Sequence, residues 1–85
     1  MNVFVNIGFG NIVASDHIMA MVSPDGAPIK RLVASAKEAG TCVDATQGRR
    51  TRAVLVMDNE TVVLSALLPE TIAGRIRAYE TGEEI

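Results

Sequence analysis

The stretch that decides the fold is DATQGRRTRAVLVMDNETVVLSAL, residues 44–67. It contains two apolar runs, at 52–57 and 61–67, and a short polar segment of Asp, Asn and Glu joins them. Short runs rich in Val and Leu, separated by turn-forming residues, are typical of a β-hairpin. The stretch therefore predicts two adjacent central strands, with a polar turn that leads into the first of them.

That polar turn places Arg49, Arg50 and Arg52 next to Gly48. An Arg guanidinium stays charged in proteins and presents a planar fork of donors that suits bidentate contacts with phosphate. The cluster therefore predicts an anion-binding loop. A charged turn that only faces solvent has the same composition, so composition alone does not distinguish it from an anion-binding loop.

The rest of the chain predicts short elements on both sides of the hairpin. They are strands at 2–7, 12–14 and 18–22, a helix that opens near Pro28 and is capped at Gly40, a strand at 41–44, and a helix that opens at Pro69. The predicted order is β-β-β-α-β-β-β-α. We therefore predict an α+β fold with a small, largely antiparallel sheet and two helices. We expect one domain over residues 1–80 and a frayed acidic tail over 81–85.

Gly8-Phe9-Gly10-Asn11 lies between the first two predicted strands. Paired glycines also occur in nucleotide-binding loops, but here no third Gly follows at the dinucleotide spacing and no Lys-Ser/Thr pair follows. Gly and Asn accept the left-handed backbone that tight hairpin turns require. The segment therefore predicts a hairpin turn.

The charges are unevenly distributed along the chain. The net charge is −2, which argues against a protein that coats nucleic acid by bulk attraction. Six Lys or Arg and two Asp or Glu lie between residues 30 and 52, a local net charge of +4 that leaves −6 for the rest of the chain. This segment includes Lys30 and Arg31 on the polar side of the predicted helix. We expect a basic face and an acidic face, and either a solvated or an anion-binding role for these helix cations.

Apolar content and cysteine usage bear on assembly and location. Cys42 is the only cysteine, so no disulfide can form within the chain. No apolar run approaches the ~20 residues of a membrane span and no signal-peptide pattern is present, so we expect a cytoplasmic protein without membrane association. The hydrophobic fraction of 48% exceeds what one small core encloses. We therefore predict self-association, with contributions from residues 54–57 and 62–67.

The sequence has none of the arrangements that usually mark catalysis, such as a nucleophile beside a base or a carboxylate pair in an apolar setting. We therefore expect a binding protein rather than an enzyme, with no cofactor and no metal. His17 is the only histidine and so makes no ordinary zinc site. At the start of a predicted strand it is a candidate for a pH-dependent phosphate contact.

Six strings of the chain point to a known family: NIGFGNIV at 6–13, VSP at 22–24, APIKR at 27–31, DAT at 44–46, GRRTRAV at 48–54 and PET at 69–71. In these strings and in their order, the chain resembles the bacterial RemA family of extracellular matrix regulatory proteins. The resemblance spans nearly the whole sequence. The chain departs from the family pattern at His17, where Arg is more frequent, and at Gln47, where an aromatic residue is more frequent.

The resemblance implies a protein that binds double-stranded DNA as a transcriptional activator of biofilm matrix genes. It also implies a ring-shaped homo-oligomer with a repeated basic surface, in which Arg49 and Arg50 are the main DNA contacts and Arg52 supports them. The candidate DNA-binding residues, from chemistry and resemblance together, are Arg49, Arg50, Arg52, His17, Lys30 and Arg31.

Other partners fit the same residues. No predicted helix has the base-reading side chains of a major-groove reader, so we expect phosphate contacts and minor-groove shape to dominate over sequence readout. RNA is a near alternative to DNA. A structural or adaptor oligomer that binds acidic proteins is a further alternative, and an enzyme that holds a phosphorylated metabolite is the last.

Overall fold

The computed structural model describes residues 3–82, and within them the predicted order of strands and helices is confirmed. The elements are β1 (Phe4–Gly8), β2 (Asn11–Ala14), β3 (Ile18–Val22), α1 (Ala27–Ala39), β4 (Cys42–Asp44), β5 (Ala53–Met57), β6 (Val62–Ser65) and α2 (Pro69–Thr81). A short 3-10 turn, Ser15–His17, joins β2 to β3. Asn2 of the first predicted strand and residues 83–85 of the predicted tail lie outside the described residues.

Both helices begin near the prolines that the sequence predicts, and α1 ends at the predicted cap Gly40, whereas the cap of α2 at Gly82 was not predicted. Pro28 and Pro69 lie in the first helical turns, where backbone N–H groups have no partner within the helix. Gly40 and Gly82 follow the last turns with φ of 74° and 77°, a left-handed conformation that favours glycine. Thr81 is therefore the last residue of α2 and Gly82 is its cap, so the first two residues of the predicted tail complete the helix.

The strands form two sheets rather than the single sheet predicted. β1 and β2 make an antiparallel hairpin, and the other strands form a four-stranded sheet in the order β3-β5-β6-β4. The 3-10 turn lies between the two sheets along the chain, and its Ser15 N–H extends the hairpin pairing by donating to the carbonyl of Val3 at 2.7 Å. In the larger sheet β4 and β6 are parallel and the other two pairings are antiparallel, so the prediction of a largely antiparallel sheet is confirmed.

The parallel pairing of β4 and β6 determines the path of the arginine-bearing loop. Because β5 lies beyond β6 in the strand order, the chain that leaves β4 must pass the C-terminal end of β6 to reach β5. Residues 45–52 make this passage, and we call them the crossover loop. Both of its ends bond to β6: Ala45 N–H donates to the carbonyl of Leu64 at 3.0 Å, and Arg52 N–H donates to the carbonyl of Ser65 at 2.9 Å.

The larger sheet is covered on both faces. Successive residues of β5 point to opposite sides, so Leu55 packs with Ile72 of α2 and with hairpin residues, whereas Val54 packs with Ala36 of α1. Leu55, Val54 and Ile72 are fully buried. The sheet therefore lies between α1 on one face and the hairpin with α2 on the other, and the crossover loop lies at its end.

Candidate functional site

The crossover loop begins with a buried anchor. Ala45 and Thr46 are buried, and the carboxylate of Asp44 accepts hydrogen bonds from the hydroxyl and the backbone N–H of Thr46 at 2.6 and 2.9 Å. The hydroxyl bond first, and then the N–H bond, stabilise the ionised carboxylate and lower the pKa of Asp44. The anchor therefore fixes the start of the loop and holds Asp44 away from pairing with the arginines that follow.

A tight turn then presents the arginines. Gln47 and Gly48 both have left-handed φ values, of 54° and 77°, and Arg49 N–H donates to the carbonyl of Thr46 at 3.0 Å. Two successive left-handed residues define a type I′ geometry, which favours Gly and tolerates few other residues. With Arg52 N–H bonded to Ser65, the backbone of the arginine segment is held at both ends.

Arg49, Arg50 and Arg52 are exposed and line one open cavity of about 460 Å³, which we call the arginine cavity. The rest of its lining comes from the β1–β2 turn and from the chain after β6: Gly8, Phe9, Ala66 and Leu67. This lining contains no acidic residue. Across residues 3–82 the one ion pair within 4.0 Å is His17 with Asp58, so none of the three guanidinium groups has a carboxylate partner there. The cavity therefore concentrates unpaired positive charge.

Phe9 is the residue of this cavity that sequence reasoning missed. Its ring centroid lies 5.9 Å from Cζ of Arg49, within the range of a cation–π contact. The Gly8-Phe9-Gly10 segment is the hairpin turn that the sequence predicts. An aromatic residue at the tip of a glycine turn could have marked Phe9 as a candidate site residue. The neighbouring sequence, however, does not indicate that this turn faces the arginines.

Ser65 connects the two halves of the cavity. Its buried Oγ donates to the carbonyl of Ile7 at 2.8 Å and accepts from the N–H of Leu67 at 3.0 Å. Its own carbonyl accepts from Arg52 N–H. One residue at the end of β6 therefore bonds to the strand that precedes the Phe9 turn and to the loop that carries the arginines.

Lys30 borders the crossover loop from the side of α1. It lines a cavity of about 250 Å³ together with Pro24, Lys37 and Thr51, and Thr51 lies between Arg50 and Arg52 in the loop. The structure therefore brings Lys30 close to the arginine segment, and Lys37, which is not among the predicted site residues, lies beside it. Arg31 is exposed on α1 and lines neither this cavity nor the arginine cavity.

The structure places His17 at the opposite end of β5 from the arginines. Ile18 pairs with Met57, and His17 Nδ1 lies 2.8 Å from Oδ2 of Asp58. Met57 lies five positions after Arg52, so at about 3.4 Å per residue His17 lies roughly 17 Å from the loop. Within one subunit His17 and the arginines therefore do not form a single site, and a DNA contact by His17 stays a prediction.

We expect His17→Gln to lower stability at acid pH and to leave it unchanged at alkaline pH. The hydrogen bond and charge of Asp58, with a smaller contribution from Asp16, raise the pKa of His17 above 6.5. A raised folded-state pKa stabilises the fold fully below 6.5, and this contribution disappears as pH rises through the folded-state value. Urea unfolding at about pH 5.5 and 8.5, values on either side of the His17 titration, measures the difference.

Asp58→Asn serves as the partner control and should abolish the same pH-dependent part of the stability.

His17→Gln also tests His17 as a DNA contact. If His17 approaches a phosphate, DNA binding by the parent strengthens as pH falls from about 8 to 6, and His17→Gln loses that response. The same pH dependence of DNA binding in both proteins would remove His17 from the candidate site.

Neither a metal site nor a membrane span is found in the part of the chain that the structure describes. Residues 3–82 contain no group of three His, Cys, Asp or Glu side chains arranged to hold a metal ion. Neither of the two helices described there has the length and apolar character needed to cross a membrane.

Comparison with known proteins identifies the family. The family described as "Extracellular matrix regulatory protein A-like", RemA-like, matches residues 4–76. A relative from Carboxydothermus hydrogenoformans is 54% identical over 81 residues, which cover 95% of this chain and 93% of the relative. A relative from Symbiobacterium thermophilum is 61% identical over 76 residues, 89% of this chain and 80% of the relative. A relative from Dictyoglomus thermophilum is 59% identical over 80 residues, 94% of each chain.

All three relatives carry the name "Putative regulatory protein" and come from bacteria. The matched segment includes the Phe9 turn, the crossover loop and most of α2. The chain therefore belongs to the RemA-like family of bacterial regulatory proteins.

Proposed function

We propose that this regulatory protein binds double-stranded DNA as a transcriptional activator of extracellular matrix genes, and that it does so as a homo-oligomeric ring. The observation that carries the proposal is the arginine cavity, where Arg49, Arg50 and Arg52 face solvent together without a carboxylate partner among residues 3–82. Unpaired, exposed guanidinium groups on a fixed backbone are suited to phosphate oxygens. The family description supports the matrix-gene target.

The charge arithmetic explains why a ring is part of the proposal. If one subunit neutralises about three phosphates, a plot of the logarithm of its affinity against the logarithm of salt concentration has a slope of about −3. A lone subunit therefore binds weakly at physiological salt. A ring that repeats the arginine cavity makes each later contact intramolecular and raises the overall affinity. It also lets DNA bend over the assembly, so that deformability contributes to sequence preference.

Exposed apolar side chains support self-association, although most of the residues that the sequence predicts for it, in 54–57 and 62–67, are buried within the subunit. The buried residues of β5 and β6 belong to the subunit's own core and are not available to a neighbour. Large apolar side chains are instead exposed on the two edge strands, with Met19 on β3 at 71% and Val43 on β4 at 52%. Exposed edge strands with apolar side chains are typical of surfaces that pair with another chain.

Light scattering coupled to gel filtration tests assembly and DNA binding together. We expect the protein alone to elute with a mass several times the 9.0 kDa of one chain, and to shift to a larger complex with duplex DNA. A strictly monomeric protein at micromolar concentration would contradict the ring. RNA and an acidic polypeptide of equal charge are the control ligands, and preference for either one over duplex DNA would replace the proposed partner.

A further inference from the structure

Phe9 is an exposed aromatic ring among unpaired arginines. Its side chain is 51% exposed, and it lines the arginine cavity with Arg49, Arg50 and Arg52. The hydrophobic cores of this small domain do not include it. Burial within the subunit therefore does not explain a large apolar side chain at this position.

The backbone at Phe9 adds a second observation. Its φ is 55°, between Gly8 at 109° and Gly10 at 80°. Three successive residues with positive φ are uncommon, and a side chain bearing a Cβ adopts this conformation at an energetic cost. Asn or Gly would occupy the position with less strain, so the fold holds an aromatic ring here against the backbone preference.

The turn that presents Phe9 is fixed from several directions. Gly8 N–H donates to Oδ1 of Asn6 at 2.7 Å, and Asn11 Nδ2 donates to the carbonyl of Gly8 at 2.9 Å. The Leu67 side chain packs against Gly8, with its Cγ at an ordinary contact distance of 3.6 Å from the position a Cβ would take, and the φ of 109° favours glycine there. The ring is therefore presented by a defined turn at the edge of a positively charged cavity.

We propose that Phe9 is a second, non-electrostatic DNA contact, whose ring packs against the sugars and base edges of the minor groove while the arginines hold the phosphates. This inference rests on the proposed DNA binding. Apolar side chains beside arginines are a recurrent means of contacting the minor groove, because arginines attract the backbone and an apolar ring fits between or against base steps. Its contact with Arg49 keeps the ring beside the phosphate-binding groups.

Salt dependence separates this contact from the arginine contacts. A non-electrostatic contact releases no counterions, so Phe9→Asn should weaken DNA binding by about tenfold at every salt concentration and leave the salt slope unchanged. Asn tolerates positive φ, which preserves the turn. Phe9→Leu, which keeps apolar bulk without the aromatic face, should fall between Asn and the parent. Arg49→Ala should instead make the slope shallower.

A fluorescent variant gives a direct readout of the contact. The chain contains no Trp, so Phe9→Trp places a single indole at the proposed contact. We expect its emission to change when duplex DNA is added. Phe4→Trp is the matched control, since Phe4 is also exposed, at 60%, but does not line the arginine cavity, and its emission should not respond.

Each alternative to the proposed role of Phe9 predicts a different result in these binding experiments. A parent protein that binds no DNA would refute the proposed function itself, before any Phe9 variant is compared. If the parent binds and Phe9→Asn binds equally well, Phe9 is not a contact. If Phe9→Asn makes the slope shallower and has no effect in an Arg49→Ala background, Phe9 only orients Arg49. If Phe9→Asn breaks the assembly, the ring packs between subunits. The last three outcomes each overturn the inference.

Discussion

The double variant Arg49→Ala/Arg50→Ala should lose duplex DNA binding by at least about a hundredfold while it folds and assembles like the parent. Hydrogen bonds to charged groups contribute about 1.5 to 3 kcal/mol each, so removing one phosphate contact from each arginine accounts for a loss of this size. Repetition around a ring amplifies the loss. The residual binding should show a salt slope shallower by about 2 for each subunit engaged.

Folding should be nearly unaffected by the same change. Both arginines are exposed, and neither has a carboxylate partner within residues 3–82. Exposed charges of this kind contribute about 0 to 1 kcal/mol to the free energy of unfolding. Urea unfolding and light scattering therefore serve as the checks that the variant is intact before its DNA titration is interpreted.

Two further variants make the experiment specific. Arg77→Glu changes the net charge by the same two units on the exposed side of α2, away from the arginine cavity, and should retain most of the DNA affinity. Arg49→Lys/Arg50→Lys keeps the charge but not the planar fork and should restore binding only in part. An Ala variant that falls to monomers would assign the arginines to subunit contacts, and one that keeps full affinity in an intact ring would exclude this loop as the DNA site.

Local residue patterns were sufficient to predict the elements of this fold. Prolines in the first turns of both helices, the glycine after the last turn of α1 and the glycine turn between β1 and β2 each act within a few residues of where they lie. The chemistry of the arginine segment was predicted in the same way, because Arg49, Arg50 and Arg52 are close together in the sequence. Such features depend on backbone preferences that need no tertiary context.

The arrangement of the site could not be predicted, because it depends on pairings between distant segments. The sequence indicates that β4 is a strand but not that it pairs in parallel with β6, and this pairing sends the crossover loop past the end of β6. The same is true of Phe9, which reaches Arg49 only through the packing of the hairpin on the sheet. His17 and Asp58 are 41 residues apart, and only the register of β3 on β5 brings them together.

Ser65→Ala should be the most damaging small substitution around the site, because it removes the hydroxyl that joins the hairpin to the end of β6. Ser65 is fully buried. Its Oγ is both donor to the Ile7 carbonyl and acceptor for the Leu67 N–H, so Ala leaves two backbone groups without this partner. Unsatisfied buried groups cost about 1 to 3 kcal/mol each, and we expect the free energy of unfolding to fall by about 2 to 4 kcal/mol.

For a domain of this size, such a loss lowers the melting temperature by about 10 °C or more, which calorimetry will measure directly. Ser35→Ala is the control, since Ser35 is exposed on α1, and it should change the free energy of unfolding by no more than about 0.5 kcal/mol. Ser65→Cys, which keeps the size and a weak donor and acceptor, should recover part of the loss. A melting temperature for Ser65→Ala equal to that of the parent would contradict the account of these two hydrogen bonds.

The same variant links stability to the site. At a temperature where Ser65→Ala remains folded, its DNA affinity should still be lower than that of the parent, because the Phe9 turn and the crossover loop have lost a shared attachment. The salt slope should stay unchanged, since all three arginines are present. If affinity is fully retained, Ser65 contributes to folding alone and each half of the arginine cavity holds its position independently. A loss of affinity with an unchanged salt slope would show instead that DNA binding requires a fixed relative position of the Phe9 turn and the crossover loop.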